Sequence, residues 1–186
     1  MAVDFCIGFF HECYAACMMH FPLHARVLEI GSAEADWIVD IKHERPDVHV
    51  TALDWRPAKG SSADKVLQGD VMLFDFPPAS FDAIVAISTV EHIGLGHYKD
   101  PVDQDGDRKT MTRVGRWLKS GGWAYLDVPY RPFGNYEVHS TRFRAYDIDN
   151  VLSRLVKPSG LAISGARMFH NDHPDGPYMA MVLEKA

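Results

Sequence analysis

The sequence predicts an α/β fold, a doubly wound, seven-stranded and mostly parallel sheet that ends in a C-terminal antiparallel hairpin. Three observations support this Rossmann-like fold. Apolar strand-like runs alternate with amphipathic helical stretches, as in chains that form parallel sheets. The run F-D-A-I-V-A-I-S, residues 81–88, is nearly all apolar, as expected of a strand that is buried on both faces. The last two strand-like runs flank the turn H-P-D-G-P, which favours an antiparallel pair.

Seven strand-like runs and four helical stretches follow from the periodicity of apolar residues. The strand-like runs are residues 25–30, 49–54, 66–71, 81–88, 123–129, 161–169 and 178–185. The helical stretches are residues 2–20, 36–43, 108–118 and 148–156. We therefore expect one domain, residues 1–186, with an N-terminal helix in 1–22 and a ligand-binding core in 25–186.

Three cysteines lie in the first predicted helix, which is expected to end near Pro22. Cys6, Cys13 and Cys17 are spaced so that all three lie on one face of a helix, beside phenylalanines. This pattern favours small buried apolar residues over metal ligands. An odd number of cysteines fits a reducing compartment, and we expect a cytoplasmic protein.

The overall composition is that of a globular protein, with 47% hydrophobic and 24% charged residues. The net charge of −6 gives no general attraction to nucleic acid or to an anionic membrane, so a nucleic-acid partner is not expected. We expect no membrane segment, because no run of about 18 apolar residues occurs. The sequence leaves open a homodimer or a protein partner.

Polar residues follow directly after several strand-like runs. In doubly wound sheets, ligands bind beyond the carboxyl ends of the strands, where the strand order reverses. The candidate residues there are Glu29, Gly31, Ser32, Ala33, Asp54, Trp55, Asp70, Val71, Ser88, Glu91, His92 and Tyr130. Asp54 follows Gly31 at about the 20-residue spacing of a carboxylate that binds ribose hydroxyls. Trp55 is placed to pack on an adenine. The alternative for Asp54 is a turn cap.

The ordered set V-L-E-I-G-S, A-L-D, Q-G-D-V, F-D-A-I-V-A-I-S-T-V-E-H and L-K-S-G-G resembles class I S-adenosylmethionine-dependent methyltransferases. The resemblance covers roughly residues 25–186. It implies S-adenosylmethionine as cofactor, with its methionine part near Gly31, its ribose on Asp54 and its adenine near Asp70 and Val71. Within that superfamily, E-H-I-G-L-G-H-Y-K-D-P, residues 91–101, resembles a little-characterised group that has E-H-I-G-L-G-x-Y-x-D-P here.

The turn after the first strand departs from the family pattern E-x-G-x-G-x-G. It reads Glu29-Ile30-Gly31-Ser32-Ala33-Glu34-Ala35, so that alanines replace the second and third glycines. An alanine is tolerated where φ is negative, whereas Glu34 repels a carboxylate-bearing ligand unless it points away. We expect cofactor binding to be retained at an affinity below the family norm, and loss of binding stays open.

Glu91 and His92 are the candidate catalytic residues. A histidine after the fourth strand is placed to remove a proton from a hydroxyl acceptor, and Glu91 to orient the acceptor. The alternative is that both close off the strand. S-T-V-E-H also resembles the metal-binding E-x-x-E-H of small-RNA 3′-end methyltransferases, with His139 as a further ligand. Because Ser88 replaces the first glutamate, we expect no metal.

Candidate acceptor-binding residues lie in two segments. Residues 94–107, which contain Tyr98, are predicted to form a mobile loop at the mouth of the pocket. Residues 131–146 contain His139 and Arg142 and follow Tyr130. They are predicted to form either a lid for an anionic or aromatic acceptor or a loop packed on the edge of the sheet.

The sequence therefore predicts an S-adenosylmethionine-dependent methyltransferase that acts on a small molecule. The absence of an N-P-P-Y-like motif after the fourth strand favours oxygen over nitrogen as the acceptor. One alternative is a catalytically silent subunit with the same fold, which the replaced glycines favour. Others are a metal-assisted methyltransferase of vicinal hydroxyls or RNA 3′ ends and an enzyme that cleaves S-adenosylmethionine. An NAD-dependent enzyme is disfavoured because G-x-G-x-x-G is missing.

Overall fold

The structure, a computed structural model, describes residues 20–35, 37–169 and 176–186. Cys6, Cys13 and Cys17 lie outside the described residues, as does the predicted helix over 2–20 except for His20. Most of the H-P-D-G-P turn also lies outside them. No helix in the described part of the chain is long and apolar enough to cross a membrane.

The described residues form nine strands and three helices. The strands are β1 Arg26–Ile30, β2 His49–Asp54, β3 Lys65–Gln68, β4 Phe81–Ala86, β5 Leu118–Pro129, β6 Glu137–His139, β7 Phe143–Ala145, β8 Ala162–Phe169 and β9 Tyr178–Glu184. The helices are α1 Trp37–Glu44, α2 Gly106–Trp117 and α3, which joins Ile148–Asn150, a π-helical stretch Val151–Val156 and Lys157–Ser159. A short 3₁₀ turn, Ser32–Glu34, follows β1.

Seven strands form one sheet in the order β3-β2-β1-β4-β5-β9-β8. The first five strands are parallel, and β9 is antiparallel to both β5 and β8. The predicted fold class and the C-terminal antiparallel pair are thus confirmed. Strand order reverses between β1 and β4, so a crevice opens beyond their carboxyl ends. The candidate site lies there.

The sheet is covered on both faces, because successive side chains of its central strands point to opposite sides. Leu28 of β1 and Ile84 of β4 pack on one side with Trp117 of α2. Val27 and Val85 pack on the other side with α1. The near-continuous apolar runs of β1 and β4 therefore reflect burial on both faces.

Several strand boundaries differ from the predicted ones. β5 begins at Leu118, directly after α2, and includes the K-S-G-G segment, whereas the predicted strand began at residue 123. This segment is held because Gly121 N donates to Lys185 O and Lys185 N donates to Gly122 O. β3 ends at Gln68, since the Asp70 carboxylate accepts a hydrogen bond from Met72 N and starts a turn instead.

Residues 131–146 contain the short hairpin β6–β7, which sequence patterning did not predict. Arg144 in β7 is fully buried. Its guanidinium donates to the carbonyl oxygens of Ile93 at 2.7 Å and, at 3.4 Å, of Asp103 and Gln104. Loop 94–107 is therefore anchored to the hairpin at both of its ends.

A buried ionic cluster completes this anchoring, and we call Asp107, Arg144, Tyr146 and Arg154 the Asp107 cluster. The Asp107 carboxylate accepts two hydrogen bonds from Arg154, at 2.7 and 2.8 Å, and one from the Tyr146 hydroxyl at 3.0 Å. Arg144 Nε lies 3.8 Å from the same carboxylate. The cluster links α2, β7 and α3, and Arg144 connects it to loop 94–107.

Candidate active site

A cleft of about 520 Å³ opens beyond the carboxyl ends of β1, β2, β3 and β4, within the usual size range of small-molecule sites. Seven polar or aromatic residues predicted for the site line it: Asp54, Trp55, Asp70, Ser88, His92, Tyr98 and Arg142. Gly31 and Val71 line it as well. The structure thus brings the ends of four strands and two loops to one cavity, as expected for this topology.

Gly31 allows the sharp turn that opens the cleft. Its φ of 87° lies in the left-handed region, and a Cβ atom at this position would collide with the Thr89 side chain. Ala33, by contrast, lies within the 3₁₀ turn, and Ala35 has a φ of −84°. Neither alanine needs the freedom of glycine, so the replaced glycines do not distort the turn.

Asp54 lies at the tip of β2, where only 6% of it is exposed. Its Oδ2 accepts a hydrogen bond from Ala33 N at 2.8 Å, and its Oδ1 accepts one from Arg56 N at 2.7 Å. The Arg56 guanidinium makes longer contacts of 3.4 Å with both oxygens. A carboxylate has about four acceptor sites, so each oxygen retains capacity for one further donor if the Arg56 side chain moves.

Asp70 supplies a buried acceptor at the end of β3. One oxygen accepts a hydrogen bond from Met72 N at 2.8 Å, whereas Oδ2 is buried with no partner among the described residues. Buried polar atoms are rarely left unpaired in proteins without a ligand-related or structural reason. Trp55, which is 39% exposed, and the buried Val71 line the same part of the cleft.

A group of buried carboxyl side chains lies under the floor of the cleft. Glu29 of β1, Glu91 after β4 and Asp127 of β5 are all at most 3% exposed. Ser88 connects two of them, because its backbone N–H donates to Asp127 Oδ1 at 2.9 Å and its hydroxyl donates to Glu91 Oε1 at 3.0 Å. Burial raises the pKa of Glu29 well above its ordinary value.

Burial and the neighbouring Glu91 carboxylate raise the pKa of Asp127 to about 8. An unfolded aspartate ionises near pH 4, so between about pH 4 and pH 8 the folded chain binds more protons than the unfolded chain. Stability should therefore fall as pH rises through this window, by up to ~1.4 kcal/mol per pH unit from this group. Asp127→Asn should flatten the slope of unfolding free energy against pH, measured by urea denaturation. Asp75→Asn, at an exposed aspartate, is the control and should keep the slope of the unaltered chain. If Asp127→Asn keeps that slope as well, the assignment of Asp127 is wrong.

His92 is held in one tautomer by the hairpin tip. Its Nδ1 lies 2.6 Å from the carbonyl oxygen of Arg142. Since a carbonyl oxygen only accepts, Nδ1 carries the proton, and Nε2 is therefore the basic nitrogen of the neutral ring. Nε2 lies 3.7 Å from Glu91 Oε1. The ring therefore presents a basic nitrogen beside a buried carboxyl group at the wall of the cleft.

The tip that holds His92 is a tight turn with unusual backbone angles. Arg142 N donates to His139 O at 2.8 Å, and the two residues between them, Ser140 and Thr141, have φ values of 42° and 63°. Hairpin turns that need two positive φ values normally contain Asn-Gly or Gly-Gly. A β-branched threonine there is a backbone outlier, and such outliers cluster at functional sites.

The remaining predicted residues lie outside the lining of the cleft. Glu29, Ser32 and Glu91 are buried, Ala33 is half-buried, and Tyr130 belongs to the core. His139 is exposed and stacks on Phe143 with ring centroids 5.2 Å apart. Among the described residues, no three His, Cys, Asp or Glu side chains are grouped so that they could hold a metal ion. Glu91, His92 and His139 therefore do not form such a group.

Solved structures match this architecture over nearly the whole chain. A Bacillus halodurans protein described as a candidate methyltransferase aligns with a TM-score of 0.73 at 13% identity, covering 96% of this chain and 99% of its own. A Burkholderia thailandensis 1,6-didemethyltoxoflavin-N1-methyltransferase, crystallised with 1,6-didemethyltoxoflavin and S-adenosylhomocysteine, aligns with a TM-score of 0.70 at 17% identity, covering 95% and 78%. The chain has the class I methyltransferase fold.

The methyltransferase fold alone does not fix the reaction. The cyclase SpnF aligns with a TM-score of 0.74 at 13% identity, covering 94% of this chain and 80% of its own. No curated protein matches the sequence. A family described as Caenorhabditis proteins of unknown function, DUF268, matches residues 72–147, less than half of the chain. The matched segment includes His92, Tyr98 and Arg142 but not Gly31 or Asp54.

Arg56 and Asp127 are polar residues at the site that sequence reasoning missed. Arg56 contacts Asp54 and lies over the Tyr98 ring, 4.5 Å from its centroid. Asp127 is the single acidic residue inside the apolar run of β5, which is a signal that sequence reasoning had available. Arg56 had no such signal, because its contact with Tyr98 involves a loop that is distant in the sequence.

Proposed function

We propose that this chain is an S-adenosylmethionine-dependent methyltransferase that transfers a methyl group to a hydroxyl oxygen of a small molecule. The observation that carries the proposal is His92, whose ring is fixed with Nδ1 protonated and Nε2 basic at the wall of the cleft. An oxygen acceptor must lose a proton during methylation, whereas a fold that only binds nucleosides needs no such base.

The residues of the cleft fit the proposed cofactor. When bound, S-adenosylmethionine supplies an electrophilic methyl group on a positively charged sulfur. Asp54 has acceptor capacity for two ribose hydroxyls, and the unpaired Asp70 Oδ2 suits the exocyclic amino group of adenine. Gly31 keeps the backbone open beside the methionine part.

His92 and Glu91 have separate roles in the proposed reaction. The proton of the acceptor hydroxyl moves to His92 Nε2, and the ring becomes an imidazolium that stays hydrogen-bonded to the Arg142 carbonyl. Glu91 Oε1, 3.7 Å from Nε2, stabilises that positive charge without touching the acceptor. His92 is thus the proposed catalytic base and Glu91 a positioning residue.

A small acceptor fits the size of the cleft. A volume of about 520 Å³ must hold both the cofactor and the acceptor. We therefore favour a small molecule over an RNA 3′ end as the acceptor.

The alternative of a catalytically silent subunit has one observation in its favour. Arg56 already contacts both oxygens of Asp54 and is held over the Tyr98 ring. If this arrangement persists, the ribose-binding carboxylate stays covered. Calorimetry with S-adenosylhomocysteine separates the two functions, since the silent subunit gives no heat of binding at millimolar ligand.

Asp54→Ala should weaken the binding of S-adenosylhomocysteine by about 1–3 kcal/mol, because two hydrogen bonds to a charged group are lost. The matched control is Asp82→Ala. Asp82 is also a strand carboxylate that accepts a backbone N–H, from Arg26 at 2.8 Å, but it lies at the amino end of β4. Calorimetric affinity should drop only in Asp54→Ala. Equal affinity in both variants removes Asp54 from the proposed site.

A further inference from the structure

The hairpin tip beside His92 carries a charge that the rest of the described chain does not neutralise. Arg142 lines the cleft and is exposed. Its guanidinium group has no hydrogen bond or ion pair with any other described residue. The other arginine of the cleft, Arg56, instead contacts Asp54 and lies over Tyr98. Arg142 is therefore the cation in the cleft that is available to a ligand.

The carboxylates that line the cleft have other partners. Asp54 is engaged by Arg56, and Asp100 accepts hydrogen bonds from Gly94 N at 2.9 Å and Tyr98 N at 3.2 Å. Asp70 belongs to the turn after β3, where Met72 N donates to it. None of the three forms an ion pair with Arg142, so an anion entering the cleft meets an unneutralised guanidinium.

The same residue also holds the proposed base. The Arg142 carbonyl oxygen accepts the Nδ1 proton of His92, and this contact depends on the left-handed turn at Ser140 and Thr141. The backbone of Arg142 thus holds the proposed base, and the same residue lines the cleft. A ligand group bound by the guanidinium is thereby positioned relative to His92.

We propose that the methyl acceptor carries an anionic group, a carboxylate or a phosphate, which the Arg142 guanidinium binds while the acceptor hydroxyl faces His92. This inference rests on the proposed function and specifies its substrate class. The planar guanidinium offers paired N–H donors that match two oxygens of either anion. A merely structural role for Arg142 predicts no selectivity between charged and uncharged ligands.

Calorimetry on the chain saturated with S-adenosylhomocysteine, and on the free chain, tests this inference. The probes are para-hydroxybenzoate, para-hydroxyphenyl phosphate and the uncharged para-hydroxybenzamide. We expect one or both anions to bind roughly tenfold more tightly than the amide, as for a charge-assisted hydrogen bond. The ratio of the two anion affinities distinguishes a carboxylate site from a phosphate site.

Side-chain variants isolate the charge, because the backbone carbonyl that holds His92 remains in each. Arg142→Gln should abolish the preference for anions and leave the amide affinity unchanged. Arg142→Lys should retain part of the preference, since the charge stays but the paired donors are lost. Arg108→Gln, at an exposed arginine of α2 outside the cleft, is the matched control and should behave like the unaltered chain.

Three outcomes overturn the inference: equal affinity for anions and amide, an anion preference that survives Arg142→Gln, and no binding of any probe at millimolar concentration. Failure of the proposed function is a different result. If S-adenosylhomocysteine does not bind but the free chain still shows an anion preference that needs Arg142, the anion site stands and the methyltransferase assignment falls.

Discussion

His92→Ala should lower turnover by roughly 10²–10⁴-fold, the usual contribution of a positioned general base. The affinity for S-adenosylhomocysteine should stay nearly the same, because the ring is assigned to the acceptor and not to the cofactor. The ring is held by the Arg142 carbonyl at 2.6 Å and contacts Tyr98 edge-on, with centroids 5.6 Å apart. Initial rates of methyl transfer from labelled S-adenosylmethionine, with a hydroxyl acceptor selected by screening phenols and hydroxy acids, measure the effect.

His139→Ala is the matched control for this prediction. His139 lies in the same hairpin, stacks on Phe143 and is exposed outside the lining of the cleft. Its removal tests whether any histidine near the hairpin affects turnover through packing. Equal rates in His92→Ala and the unaltered chain, or equal losses in the two variants, contradict the assignment of His92 as base.

Asp107→Asn should lower the free energy of unfolding by about 3–5 kcal/mol, the cost of leaving a buried charge without its partner. Asp107 is fully buried and accepts hydrogen bonds from Arg154 and Tyr146. Its loss also leaves the fully buried Arg144 without its carboxylate. Urea denaturation followed by circular dichroism gives the change.

Asp75→Asn provides the surface comparison. Asp75 forms an ion pair with Arg116 at 3.1 Å, but 68% of its side chain is exposed. Removing that pair should cost less than about 1 kcal/mol. Similar small losses in both variants would mean that the Asp107 cluster does not hold the loop and hairpin together.

Periodicity predicted most of the sheet because its central strands are buried on both faces. β1, β2 and β4 begin within one residue of their predicted starts, since apolar runs such as V-L-E-I are read directly from the sequence. The start of β5 was missed because Gly121 and Gly122 are normally turn residues. Here they pair through long-range hydrogen bonds with Lys185, which no local pattern reveals.

The cleft residues at strand ends could be predicted because parallel strands place their carboxyl ends at one edge of the sheet. Asp54 and His92 were found in this way, and both line the cleft. The hairpin β6–β7 could not be found, because its strands have three residues each and its turn has no glycine. The sequence therefore predicted Arg142 as a residue that binds the methyl acceptor but gave no sign of its contact with His92.

A crystal structure of the chain with S-adenosylhomocysteine bound tests the proposed cofactor site most directly. The ribose hydroxyls should lie on the Asp54 carboxylate, with Arg56 displaced and the adenine amino group next to Asp70 Oδ2. The sulfur should face the part of the cleft that His92 and Arg142 line. A cleft that is still occupied by the Arg56 and Tyr98 side chains at saturating ligand would contradict the proposed cofactor site.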